Sequence, residues 1–301
     1  MKIFFMIFLI SNSTPQEANQ SYYFCKKNNI LSQKLRGMNF SNKVVWITGA
    51  SSGIGKALAL ELSNLGAQLI LSSRKEADLI AVQKACKNPE SVAVFPLDLE
   101  QYQDFGRSVK QAINLFGHID ILVNNGGISQ RSLAKDTNIQ VDEKIMAINY
   151  LGTVALTKAL LPHFIKNQSG HFVVTTSIVG KIGTPLRSTY AASKHALHGF
   201  FDSLRAEHHK DSISVTLVCP GFVTTNISKN ALTGDGSAQN KMDTATQNGI
   251  APERFAKLMV KAIAKQKQEV YIAGAKEKLG VYVKRFFPKL LATMIRKLSV
   301  T

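Results

Sequence analysis

The sequence predicts an α/β fold, a doubly wound parallel sheet of about seven strands with helices on both faces. Three observations carry that prediction. Between Lys43 and Ala273, short apolar, β-branched runs alternate with longer stretches of helical period. Such alternation makes a parallel sheet with right-handed crossovers, covered on both faces. A glycine turn follows the first run directly and opens a helix. Tyr190 and Lys194, four residues apart, stand on one face of a predicted helix, and Ser177, thirteen residues before Tyr190, ends an apolar run. In open α/β sheets the ligand crevice lies where strand ends meet helix starts.

The elements follow in order. KVVWIT, from Lys43, reads as a buried strand, and GASSGIGKALALELSNLG as a turn and a helix stopped by Gly66. QLILSS is the second strand, a polar helix covers Lys75–Lys87, and SVAVFPLD is the third strand. A helix ends at Gly117 before the fourth strand, IDILVNN. The stretch QVDEKIMAINYLGTVALTKALLPHFIK reads as one long, mostly apolar helix. HFVVTTS, the helix STYAASKHALHGFFDSLRAEHH and the strand ISVTLVCPG come next. Residues 226–251 are polar with no clear period. PERFAKLMVKAIAKQ is a helix with Pro252 in its first turn, and EVYIA is the seventh strand.

The turn from Thr48 to Gly55, TGASSGIG, places glycines at Gly49, Gly53 and Gly55 around Ser51, Ser52 and Ile54. A backbone without side chains lets a pyrophosphate come close, and the helix start offers free N–H groups and a positive dipole end. In this strand–turn–helix setting the fold is Rossmann-like and binds a dinucleotide. The second strand ends in Ser72, Ser73, Arg74, Lys75, with no carboxylate before the cations. An acid there would hold a ribose 2′-hydroxyl, whereas arginine meets a 2′-phosphate. The cofactor is therefore expected to be NADP(H), preferred over NAD(H), with Arg74 as reader and Ser73 as helper.

Charge and cysteines narrow the partners. The net charge of +17 sits mostly at the ends: +4 in residues 1–40, +9 in residues 251–301 and +4 in the 210 residues between. No basic stripe with base-reading motifs lies on the fold, so nucleic acid is not an expected partner. Cys25, Cys86 and Cys219 are odd in number and far apart, which predicts a reducing compartment and no disulfide framework. His195, His198, His208 and His209 cluster without a completing carboxylate or cysteine, so no metal site is expected. Asp142 and Glu143 read as a solvated pair on a helix face.

With Ser177, Tyr190 and Lys194 added to TGASSGIG, NNGG at Asn124–Gly127, Asn149 and PGFVTT at Pro220–Thr225, the chain resembles the short-chain dehydrogenase/reductase family from about Asn39 to Ala273. The order of several motifs makes the resemblance specific. It departs at Gly126, where the family usually has alanine; a slightly looser turn is expected. The resemblance implies that Asp98, with the Leu99 backbone, meets the adenine, and that Asn125 holds the adenosine side. It implies that Val223 and Thr225 bind the nicotinamide carboxamide, that Asn149 bends the long helix and holds a water behind Lys194, and that residues 226–251 are the substrate lid.

The chemistry of the catalytic group stands on its own. Ketone reduction needs a hydride on carbon and a proton on oxygen. Tyrosine ordinarily titrates near 10, and a lysine ammonium one turn away, with an oxidised nicotinamide ring, favours the phenolate. Tyr190 would be the general acid/base, Lys194 its neighbour and ribose ligand, and Ser177 the donor to the carbonyl oxygen. The expected activity interconverts a small ketone or aldehyde with an alcohol. A β-ketoacyl-thioester reductase and, less favoured, a non-catalytic NADP(H)-binding regulator are the alternatives.

The ends are read separately: 1–38 as an extension outside the fold, 39–275 as the catalytic domain, 276–301 as a basic amphipathic tail. The run MKIFFMIFLI is too short to span a bilayer. It reads as part of a disordered extension, with Met38 an alternative start, ahead of readings as a secretory signal or a weak membrane anchor. In the tail, apolar residues recur every three to four positions among lysines and arginines, with Pro288 a break. That stripe either covers the lid or a partner subunit or makes a peripheral contact with an anionic membrane. A cytoplasmic location, with or without membrane association, and a homodimer or homotetramer are expected.

Overall fold

The computed structural model describes residues 40–296. The expectations for residues 1–38, including Cys25, lie outside the described residues. Seven strands form one sheet: β1 (Val44–Thr48), β2 (Gln68–Ser72), β3 (Val92–Val94), β4 (Ile121–Asn124), β5 (Gly170–Thr175), β6 (Ile213–Pro220) and β7 (Glu269–Ile272). Their order is β3-β2-β1-β4-β5-β6-β7 and every pair is parallel. The Rossmann-like doubly wound sheet of the sequence reading is the observed one.

The larger helices are α1 (Gly53–Asn64), α2 (Glu76–Ala85), α3 (Phe105–Phe116), α4 (Ile139–Met146), α5 (Gly152–Asn167), α6 (Ser188–Glu207), a single turn α7 (Thr244–Gln247), and α8 (Pro252–Ala264). The tail forms α9 (Ala275–Phe286) and α10 (Pro288–Ile295), and Pro288 occupies the first turn of α10. It breaks the helix as expected, because its ring cannot continue the preceding turn.

β1, β4 and β5 are buried along their whole length. Trp46 is fully buried and sits edge-on to Phe95 at 5.8 Å between centroids. Phe164, Phe172 and Phe201 pack in series between α5, β5 and α6. Each such side chain contributes roughly 1.5–3 kcal/mol when fully buried. One helical stretch among the described residues, Ile139–Asn167, is long and apolar enough to cross a membrane. It puts Leu156, Leu160 and Phe164 into the sheet core, which accounts for its composition.

The long helix is divided by a π-helical turn at Ala147–Leu151 that contains Asn149, where the resemblance implied a bend. One sequence expectation needs correcting. The regular third strand is three residues long: Phe95 and Leu97 still donate to the Leu71 and Ser73 carbonyls at 2.9 and 3.1 Å, but Pro96 between them has no N–H to continue the ladder, and Leu97–Leu99 line the crevice. The crevice itself follows from topology. From β1 the chain runs outward to β2 and β3, then returns to β4 on the other side. The connections leaving β1 and β4 therefore diverge and open a space at the strand ends.

Candidate active site

A cleft of about 1000 Å³ lies over the C-terminal ends of β1, β2, β4, β5 and β6. Gly49 adopts φ +64° and lets the chain turn straight from β1 towards α1. At Gly55 a Cβ would stand 2.2 Å from the Gly49 carbonyl oxygen, so only glycine lets α1 pack this closely on the turn. Asn125 holds the turn from the β4 side, its amide donating to the carbonyls of Thr48 and Gly49 at 3.1 and 3.3 Å.

Gly49, Ser51, Ser52, Gly53, Ile54, Ser73, Arg74, Asp98, Leu99, Asn125, Gly126, Val223 and Thr225 all line the cleft. Gly55 does not; its part is the packing just described. Asp98 folds its carboxylate back to accept from the Glu100 N–H at 3.0 Å. The looser turn expected at Gly126 is not found. A Cβ there would lie 2.6 Å from Leu99 Cδ1, so the Leu99 side chain fills the space an alanine methyl would take.

Among the described residues, the Ser73 Oγ at the end of β2 is buried without a hydrogen-bond partner. A buried hydroxyl of this kind leaves a polar group unsatisfied unless a ligand meets it. Together with Arg74 beside it, it fits a phosphorylated ribose. The glycine cradle and the start of α1 fit a pyrophosphate.

Ser177, Tyr190 and Lys194 converge on the same cleft. Ser177, just past β5, hydrogen-bonds the Tyr190 phenol and accepts from the Val179 N–H at 3.1 Å. Lys194 Nζ lies 5.9 Å from the centroid of the Tyr190 ring and donates to the Thr175 carbonyl at 2.9 Å. Asn149 is fully buried and stands behind the cleft rather than in it. Its side chain accepts from the Ile128 N–H at 2.8 Å and donates to the Ile128 carbonyl at 2.9 Å and to Ser193 Oγ at 3.1 Å. The widened π-helical turn lets that amide leave its own helix and join β4's exit to α6.

Burial weighs on both Tyr190 and Lys194. Burial pushes the Tyr190 phenol up, and the Ser177 hydrogen bond and the charges of Arg187 and Arg131 only offset part of that rise. Burial also pulls the Lys194 ammonium down to about 8. The cations acting on the phenol are thus two arginines that the sequence reading did not single out.

Those arginines belong to a buried cluster. Arg131 donates from Nε at 2.8 Å and again from Nη2 to one carboxylate oxygen of Asp243, and Arg187 Nη2 reaches the same oxygen at 3.3 Å. All three side chains are buried. Burial and the Arg131 charge draw Arg187 down to about 10, against the pull of Asp243. Asp243 comes from residues 226–251, which are ordered despite their lack of period. Leu232 bridges Gln130 in parallel and exchanges backbone hydrogen bonds with Ser129 and Arg131 at 2.9 and 2.8 Å.

Gln130 was also missed. Its Oε1 accepts from the N–H groups of Thr189 and Tyr190 at 3.0 and 3.3 Å, and its Nε2 donates to Thr137 and Ser188. It caps the start of α6 from outside, where Arg187, at the cap position, supplies no side-chain cap. Asp142, read as solvated, instead accepts from the Thr189 hydroxyl and ties α4 to the same helix start. No local signal marks Gln130, Arg131, Arg187 or Asp243, because none stands in a spacing that only chemistry explains.

The expectation that no cysteine or carboxylate joins the histidines also fails. His198, Cys219 and Glu269 bring ligand-type atoms within 4.8 Å of one another. Lys181 already holds Glu269 at 2.8 Å, and burial pushes the Cys219 thiol up to about 12, away from the thiolate a metal would take.

Comparison with known proteins agrees with this architecture. Residues 43–235 match the family model described as short chain dehydrogenase. The chain is 42% identical over 275 residues to Dehydrogenase/reductase SDR family member 7B of Xenopus laevis, covering 88% of this chain and 84% of that protein. It is 40% identical over 274 residues to a Dehydrogenase/reductase SDR family protein 7-like of Anopheles gambiae, covering 89% and 86%. Among solved structures, a short chain dehydrogenase/reductase from Burkholderia phymatum in complex with NAD superposes with TM-score 0.73 at 23% identity, covering 84% of this chain and 96% of that one. Levodione reductase superposes with TM-score 0.71 at 24% identity, covering 80% and 99%. With a parallel seven-stranded sheet, a matching family model and relatives at about 40% identity over most of its length, the chain belongs to the short-chain dehydrogenase/reductase family of oxidoreductases.

Proposed function

We propose that the protein is an NADP(H)-dependent oxidoreductase that interconverts a ketone or aldehyde with an alcohol, Tyr190 being the general acid/base. The observation that supports this most is the convergence of Ser177, Tyr190 and Lys194 on a cleft whose other end is a glycine cradle. When bound, the nicotinamide would supply or take the hydride. The 2′-phosphate preference rests on Ser73 and Arg74, and the residues assigned to the adenine, pyrophosphate and carboxamide line the cleft, Gly55 excepted.

The raised Tyr190 phenol keeps its proton at neutral pH, which suits donation to a carbonyl oxygen as reduction proceeds. Ser177 stands beside it as a hydroxyl donor at the oxygen where charge develops. Lys194 would hold the ribose hydroxyls and keep Tyr190's side of the cleft positive after proton transfer. Asn149 and Gln130 act through others, the first on the approach to Lys194, the second on the helix start that carries Tyr190.

The test is a panel of ketones, aldehydes and acyl thioesters with NADPH and NADH in parallel, on wild type and Tyr190→Phe. Turnover with NADPH that Tyr190→Phe abolishes, with cofactor binding kept within a few-fold, is expected. Retained turnover in Tyr190→Phe, or tighter NADH than NADPH, would overturn the reading.

A further inference from the structure

The tail has two faces. Inward, Lys276, Glu277, Gly280, Leu291 and Ile295 form one wall of the cleft. Leu291 is buried against Ile178, Ile182 and Cys219, and Glu277 accepts from the Phe222 N–H at 2.9 Å. Outward, Leu279, Tyr282, Phe286, Phe287, Leu290 and Met294 are between 46% and 68% exposed. Six large apolar side chains this exposed on two successive short helices are more than the scattered single residues ordinary on a surface.

The charges around that patch say what covers it. Lys276, Lys278, Lys284, Arg285, Lys289 and Arg296 are all exposed, and the one acid of the two helices, Glu277, is turned to the backbone of Gly274 and Phe222. A second copy seated here by symmetry would bring the same cations together. An apolar stripe edged by lysine and arginine, with no outward acid, fits lipid tails below and anionic headgroups beside it.

We propose that the outer face of α9 and α10 docks on an anionic phospholipid surface and sets the mouth of the cleft against the lipid. Lipid-soluble carbonyl compounds then reach Tyr190 from the bilayer rather than from water. That consequence rests on the proposed redox function, whereas the docking does not.

The experiment reads the contact without turnover. Trp46 is the only tryptophan and is fully buried in the sheet, so a tail tryptophan introduced by Tyr282→Trp reports alone on lipid. The full chain is mixed with brominated phosphatidylcholine vesicles, with and without phosphatidylserine. Quenching of the tail tryptophan with the anionic vesicles, and at least about tenfold weaker partitioning on Lys278→Glu/Arg285→Glu/Lys289→Glu, is expected. NADPH binding checks that the triple variant is folded. No quenching with anionic vesicles would overturn the proposal, as would equal partitioning of the triple variant. A wild-type dimer in sedimentation that the same three substitutions split would also overturn it, by giving the face to a second copy.

Discussion

Arg131 and Asp243 meet across 112 residues of sequence, the guanidinium giving two of its donors to one buried carboxylate oxygen. That contact fastens residues 226–251 to the segment after β4. Burial alone would raise the Asp243 carboxyl, yet the Arg131 hydrogen bonds, helped by Gln239 and the Arg187 charge, hold it below the usual range. Asp243→Asn leaves two buried guanidinium groups short of their counter-charge. A loss of about 3 kcal/mol in urea unfolding is expected, since removing one partner of a buried pair strands the other. In a double-mutant cycle with Arg131→Met the losses should add to less than their sum; strict additivity would show that the two side chains are not coupled.

Gln130 holds the helix start that carries Tyr190 through two backbone N–H groups. Gln130→Leu keeps the volume and removes the acceptor for the Thr189 and Tyr190 N–H groups. A fall in kcat of roughly thirtyfold, with NADPH affinity unchanged, is expected if each of the two lost hydrogen bonds costs about 1 kcal/mol. Steady-state kinetics beside cofactor titration separates this from general loosening, which would move both.

The proposed cofactor preference is tested at Arg74. Arg74→Ala should weaken NADPH binding by about tenfold to a hundredfold, the worth of a charge-assisted hydrogen bond, and leave NADH nearly unchanged. Equal effects on the two cofactors, measured by fluorescence titration, would remove Arg74 from that role.

His171 gives the fold an acid-sensitive core. Burial lowers its imidazole to about 4, while its Nε2 pairs with the Thr216 hydroxyl at 2.8 Å. The unfolded chain binds the proton near 6.5, so this depressed group contributes stability that is present above that pH and lost as pH falls through 4. The loss over that window is about 3 kcal/mol for a shift from 6.5 to about 4. Urea midpoints between pH 7 and 4 should show it, and His171→Gln should flatten the slope.

How much was legible depended on the range of the cause. TGASSGIG declared the first turn because a strand, a close-approach glycine and a helix start are all settled within eight residues. Tyr190 and Lys194 declared a shared face because the α-helical repeat is local. The sheet's seven strands followed from apolar runs alone, and the third was overextended because hydropathy runs on past Pro96, which has no N–H for the ladder. Ser73 and Arg74 declared themselves by the missing carboxylate before them.

From the sequence alone came the doubly wound fold, the family, and the residues that a single turn or strand end brings side by side. Only the tertiary structure decided that Arg131, Arg187 and Asp243 would share one buried oxygen, that Gln130 would cap α6, and that the tail would wall the cleft with one face and leave the other bare. Burial is the physical reason. It raised the Tyr190 phenol and drew Lys194 down, and desolvation is a property of the packed whole that no local spacing records.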